Sequence, residues 1–102
     1  MRILESTLEK RVCGLALQRG VIGLKLNVHG QTGWPDRLFL IPGGRPLFIE
    51  FKRPGGKGVL SPKQIHIHSI LRAAGYQVEI HDNAIFALHD IEKALEASRR
   101  KK

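Results

Sequence analysis

The fold this sequence predicts is a single α/β domain: a mixed central sheet, a β-hairpin at its middle, and flanking helices. Three observations predict it. Segments with apolar residues at helical spacing alternate along the chain with segments of strand-like alternation. Two strand-like runs, Asp36–Ile41 and Arg45–Lys52, carry apolar residues on both faces, which marks them as interior strands covered by helices on at least one side. The 102 residues suffice for one core and not for a second.

The elements follow in order. Leu4, Leu8, Val12, Leu15 and Ala16 recur at helical spacing, predicting an amphipathic helix from Glu5 to about Arg19, stopped by Gly20. Ser6-Thr7-Leu8-Glu9 matches a capping box, which would leave Glu5 just outside that helix. Leu24–Val28 alternates as a strand, with Lys25 and Asn27 on one face. His29-Gly30-Gln31-Thr32-Gly33 is a polar loop; Gly33 suits a close backbone approach, and Pro35 holds the chain extended before Asp36. Trp34 reads as a core or rim aromatic, with stacking on a nucleobase as the other reading.

Pro42-Gly43-Gly44 turns the chain between the two central runs. Ser61 and Pro62 sit at N-cap and N1 of a second helix that ends near Ala74 before Gly75. Gln64 completes a capping box there and also leads an inward stripe of Ile67, Ile70, Leu71 and Ala74. Tyr76–His81 alternates as a strand, Ala84–Leu88 reads as a short strand, and Asp90 caps a last helix from Ile91 to about Ser98. The domain is taken as residues 1–98, with 99–102 (Arg99-Arg100-Lys101-Lys102) a disordered basic tail. His66 and His68, two apart on a helix, diverge; with His29, His81 and His89 they read as surface or rim residues rather than a zinc site.

Seventeen basic against nine acidic residues give a net charge of +8, which favours a polyanionic partner, nucleic acid before membrane. The apolar runs are far shorter than the ~20 residues of a membrane span. Glu5 and Glu9 interrupt any signal-peptide-like start, so a cytoplasmic, unsecreted protein is expected. The lone Cys13 excludes an internal disulfide or a cysteine zinc cage.

The chemistry concentrates in the central hairpin. Glu50 and Lys52, two apart on a strand, share a face within the apolar run Leu47–Phe51, where an unpaired charge is costly. With Pro42–Gly44 as the loop, Ile41 faces Arg45 and Asp36 faces Glu50. Two carboxylates and a lysine then meet on one patch, and hard oxygen ligands at that separation suit Mg²⁺ or Mn²⁺.

Gly33-Trp34-Pro35-Asp36, then Phe48-Ile49-Glu50-Phe51-Lys52-Arg53-Pro54-Gly55 and Ser61-Pro62-Lys63-Gln64, resemble the PD-(D/E)XK nuclease superfamily, and within it the VRR-NUC (virus-type replication-repair nuclease) group. The resemblance runs from about Glu5 to Asp82. It implies a restriction-endonuclease-like core, a first-helix acid pointing into the metal site (Glu5, taken ahead of Glu9), and a glutamine, Gln64, near the active site. Single-domain members resemble Holliday-junction resolvases, which implies a homodimer acting on branched DNA.

The residues fit phosphodiester hydrolysis. Asp36, Glu50 and Glu5 would hold one or two ions, the Phe51 carbonyl would complete the shell, and Lys52 would orient or deprotonate water. Arg53 and Lys57, in a glycine-rich loop after the site, are candidate phosphate contacts, together with Lys63 and Lys25. Two rivals are a non-catalytic nucleic-acid-binding module and a sequence-specific restriction-type endonuclease. The intact acids speak against the first, and the short chain leaves little room for the recognition loops of the second.

Overall fold

The structure, a computed structural model, describes residues 5–53 and 59–100. Leu4, Pro54, Gly55, Lys57, Lys101 and Lys102, named above, lie outside the described residues. The order is α1 (Glu5–Gln18), β1 (Ile22–Lys25), β2 (Arg37–Leu40), β3 (Leu47–Phe51), α2 (Pro62–Ala73), β4 (Gln77–His81) and α3 (Ala84–Arg100). The four strands form one mixed sheet in the order β1-β2-β3-β4, antiparallel between the first three and parallel between β3 and β4.

β3 is interior, and all five of its residues are buried. Its alternation sorts the molecule into two layers. Leu47, Ile49 and Phe51 join Phe39 in a core closed by Leu8, Val12 and Ala16 of α1 and Ala87, Ile91 and Leu95 of α3. In each helix those residues are four apart, so they form one stripe. Phe48 lies on the opposite face, with Leu71, Val78 and the partly buried Leu26, Trp34, Leu38 and Ile67. Helices therefore cover both faces, and Glu50 and Lys52, in phase with Phe48, belong to the α2 side.

The hairpin register agrees with the sequence reading. Arg37 pairs with Ile49, Leu38 with Phe48 and Phe39 with Leu47, so one step further sets Asp36 opposite Glu50. α2 also begins as expected: Ser61 is the N-cap, Pro62 opens the helix, and Ser61 and Gln64 form a reciprocal capping box.

Several expectations are corrected. α1 includes Glu5, so Ser6 lies inside the first turn and does not cap it. β1 covers Ile22–Lys25 rather than Leu24–Val28, because its partner strand begins at Arg37 and Pro35 beyond it has no N–H to offer. Ala84–Leu88 is the start of α3, not a strand. Asn83 caps that helix, its side-chain oxygen accepting from the backbone N–H of Ile85 at 2.8 Å and of Phe86 at 3.3 Å. Asp90 is therefore mid-helix, where it pairs with His81 at 2.5 Å. Arg99 and Arg100 continue α3 rather than starting a disordered tail. The inward stripe of α2 is Gln64, Ile67, His68 and Leu71, whereas Ile70 is exposed.

Candidate active site

Asp36 ends the loop into β2, and its position is fixed by one strong contact. Its Oδ2 accepts the backbone N–H of Phe51 at 2.7 Å, which locks the acid across the hairpin. That loop is itself pinned. Gly33 has φ +97°, and a Cβ there would lie 2.6 Å from the Lys63 carbonyl oxygen, so only glycine allows the loop to press on the first turn of α2. Trp34 packs against the second cluster and donates its Nε1–H to Gln31 Oε1 at 2.9 Å.

Glu50 is buried on the same face. Its Oε2 accepts from Gln64 Nε2 at 3.0 Å and lies 3.5 Å from Lys52 Nζ, while Oε1 is buried with no partner among the described residues. The Gln64 amide spans cap and site. Its Oε1 accepts the Ser61 backbone N–H at 2.9 Å and is 3.5 Å from Lys52 Nζ. The two roles read from the sequence thus coexist in one side chain. Lys52 is held from behind by its backbone N–H, which donates to His81 of β4 at 2.9 Å.

The electrostatics follow from this crowding. Burial, then repulsion from Asp36, pushes the Glu50 carboxyl up to about 7, against the pull of Lys52. Burial also raises Asp36, with the Phe51 N–H opposing and Glu9 repelling. Glu5 is exposed on the first turn of α1 but adds repulsion to both carboxyls.

Glu9, the acid placed second to Glu5, has a structural partnership. Lys25 and Arg37 stand directly opposite each other on β1 and β2, a like-charge pairing that is unfavourable by itself. Buried Glu9 lies between them: its Oε2 is 2.5 Å from Arg37 Nε and 3.1 Å from Lys25 Nζ. Lys25, expected as a phosphate contact, is thereby engaged with Glu9. Arg53 and Lys63 are exposed beside the site. His68, expected at the surface, is fully buried one turn beyond Gln64, and among the described residues neither of its ring nitrogens has a partner. Burial lowers its pKa, helped by Arg72 and Lys52. Its place on the inward stripe, four after Gln64, was the available signal.

Among the described residues, no three His, Cys, Asp or Glu side chains converge on one point. The donors that do meet are hard oxygens. The buried Glu50 beside the half-buried Asp36, with Oε1 unpartnered among the described residues, forms an acidic pair that a divalent cation would neutralise, so the residues fit Mg²⁺ or Mn²⁺ with the remaining ligands from backbone or water.

No family model matches the chain. The chain is 37% identical over 84 residues to the protein named "Putative nuclease p44" of Acyrthosiphon pisum secondary endosymbiont phage 1, covering 81% of this chain and 88% of that one. A solved structure described as a VRR_NUC domain superposes with a TM-score of 0.73 at 25% identity, covering 90% of this chain and 94% of the other. Hairpin register, acid pair and lysine, the phage relative and the structural match agree, and the chain belongs to the VRR-NUC family.

Proposed function

We propose that the chain is a metal-dependent deoxyribonuclease, selective for branched DNA such as Holliday junctions, working as a homodimer in the cytoplasm of a bacterial or virus-infected cell. The observation that carries the reading is the buried Glu50 carboxylate, with one oxygen unpartnered among the described residues, set against Asp36 and beside Lys52 and Gln64. Asp36, Glu50 and the Phe51 carbonyl would hold the ion; Glu5, exposed on α1 and not converging with the two acids here, would have to turn toward them to add a further ligand. A bound Mg²⁺ or Mn²⁺ supplies Lewis acidity toward the phosphate and a more acidic water.

The chain's own groups do the rest. The Phe51 N–H keeps Asp36 in one orientation, and Gln64 does the same for Glu50 through Oε2, leaving Oε1 available. The Lys52 ammonium, 3.5 Å from Glu50 Oε2, would hold the attacking water and offset charge growing on the phosphate. Exposed Arg53 and Lys63 would take neighbouring phosphates.

Two features support pairing of two copies. β4 is an edge strand of the sheet, and exposed Ile80, Ile85 and Phe86 lie on it and on the first turn of α3. Among the described residues, no helix is long and apolar enough to cross a membrane. The test is cleavage of labelled duplex, single-stranded, flap and four-way-junction DNA with Mg²⁺, Mn²⁺ or EDTA. Metal-dependent cutting that favours the branched substrates is expected. Cutting that persists in EDTA would reject the metal, and equal rates on plain duplex would reject the selectivity. Light scattering that gives an 11.4 kDa species with junction cutting intact would reject the dimer.

A further inference from the structure

Along α2 from Gln64 lies a cleft of which the proposed chemistry uses only Lys63, at its rim. It has a volume of about 420 Å³ and lies between the Gly30–Thr32 loop and the first two turns of α2. Its walls are Pro62, Ile67 and the His66 imidazole; Gln31, Thr32 and Lys63 add an amide, a hydroxyl and an ammonium. Lys63, His66 and Ile67 are at i, i+3 and i+4, one stripe of α2, next to the Gln64–His68 stripe that faces Glu50. The helix thus divides two adjoining compartments, one acidic and one apolar with polar edges.

The cleft is preformed. Gly33, next to Thr32, presses on the Lys63 backbone, and Trp34 holds Gln31 through its carbonyl oxygen, so the Gln31 amide NH₂ is the group left to donate. A phosphate would call for several cations or converging N–H groups, and here Lys63 is the one lysine or arginine in a lining that is mostly apolar. A flat heteroaromatic ring with acceptors at its edge matches the lining: imidazole for stacking, aliphatic sides, and donors at the rim.

We infer that this cleft receives one unpaired nucleobase of the strand being cut, next to the scissile phosphate. The inference rests on the nuclease reading above and deepens it, because it makes an unstacked base part of the substrate. Unpaired bases at a branch or flap reach such a cleft cheaply, whereas a base in intact duplex must first be extruded.

The test scans a single abasic residue through the nucleotides around the branch of a flap DNA. Binding is measured by anisotropy with the Glu50→Gln variant, and cleavage with the wild type. One position is expected to weaken binding about tenfold, the order of one lost base stack. His66→Ala, and separately Gln31→Ala, should weaken binding to unmodified DNA and show no further loss on DNA abasic at that position, because both changes remove the same contact. A flat scan, or losses that simply add, overturns the inference while metal-dependent cutting leaves the nuclease reading standing. If the wild type neither binds nor cuts any DNA, the nuclease reading falls and this inference with it. A free nucleoside monophosphate serves as the control ligand; tight binding of it together with a flat scan would assign the cleft to a soluble nucleotide and reject the proposal.

Discussion

The two faces of β3 are built for opposite purposes within five residues. Toward α1 and α3, Leu47, Ile49 and Phe51 enter a continuous hydrocarbon core. Toward α2, Phe48 is followed by Glu50, and among the described residues one Glu50 oxygen and both His68 ring nitrogens are buried without a partner. Unsatisfied buried polar groups are costly, so Glu50 and His68 are held in place by the apolar cluster around Phe48 and the rest of the fold rather than adding stability themselves. The dry face supplies stability and the polar face spends some of it on a poised acid pair.

Changing one residue on each face separates the two roles. Glu50→Gln keeps shape and removes the buried charge. It should lower cleavage at least about a thousandfold, roughly 4 kcal/mol in the barrier, while raising Tm. Near-normal cutting by this variant would sink the site assignment. Ile49→Ala, one residue away on the other face, should do the reverse. Emptying that dry position should cost about 3–4 kcal/mol of stability by denaturant unfolding, with the activity of the folded fraction retained. A loss below about 1 kcal/mol would show that the core is less tightly packed than its burial implies.

A pH series sharpens the contrast. Glu50 is raised from its ordinary value to about 7, so over that window the native state binds more protons than the unfolded state. Stability from this group is therefore greatest in acid and falls as pH rises from about 4.5 to 7. His68 works the other way. Its pKa is lowered, so its contribution is complete above the ordinary histidine value and is lost as pH falls. Comparing wild type with Glu50→Gln cancels the histidine. The stability advantage of the variant should widen between about pH 5 and pH 8 by on the order of 2 kcal/mol, a Tm difference of roughly ten degrees. Mg²⁺ should raise the Tm of the wild type at pH 8 and not that of the variant. A constant gap would mean that Glu50 is not strained by its burial.

The dry face and the hairpin were largely legible in the sequence, and the polar face only in part. Pro42-Gly43-Gly44 fixes the turn, and counting outward places Asp36 against Glu50 without any tertiary knowledge. Ser61-Pro62 and Gln64 likewise announce α2 through local capping chemistry. Ala84–Leu88 misled because a short apolar run carries no period of its own; only continuation through Ala87, Ile91 and Leu95 makes it helical. Glu9 was legible as an acid on α1 but not as a buried one, since Lys25 and Arg37 arrive from two strands that only the sheet register brings together. His68 was misread because a histidine next but one to another looks superficial until the inward stripe of α2 is known to turn through it.

The smallest effect tests whether cap and site can be separated. Ser61 Oγ accepts the Gln64 backbone N–H at 3.2 Å, while the Ser61 backbone N–H donates to the Gln64 side chain. Ser61→Ala deletes only the first of these bonds. The helix should lose about 1 kcal/mol of stability, a Tm drop of several degrees in a domain of this size. Gln64 should keep its hold on Glu50, because the backbone donor that orients its amide survives the change. Cleavage is therefore expected to fall less than about fivefold, a barrier change under about 1 kcal/mol. Gln64→Ala provides the reference, since it removes cap and site contacts together and leaves Glu50 Oε2 with Lys52 as its remaining partner. If Ser61→Ala slows cutting as much as Gln64→Ala at equal folded fraction, the first turn of α2 acts as one unit and the hydroxyl belongs to the site. If it costs stability alone, the amide bridges two separable roles.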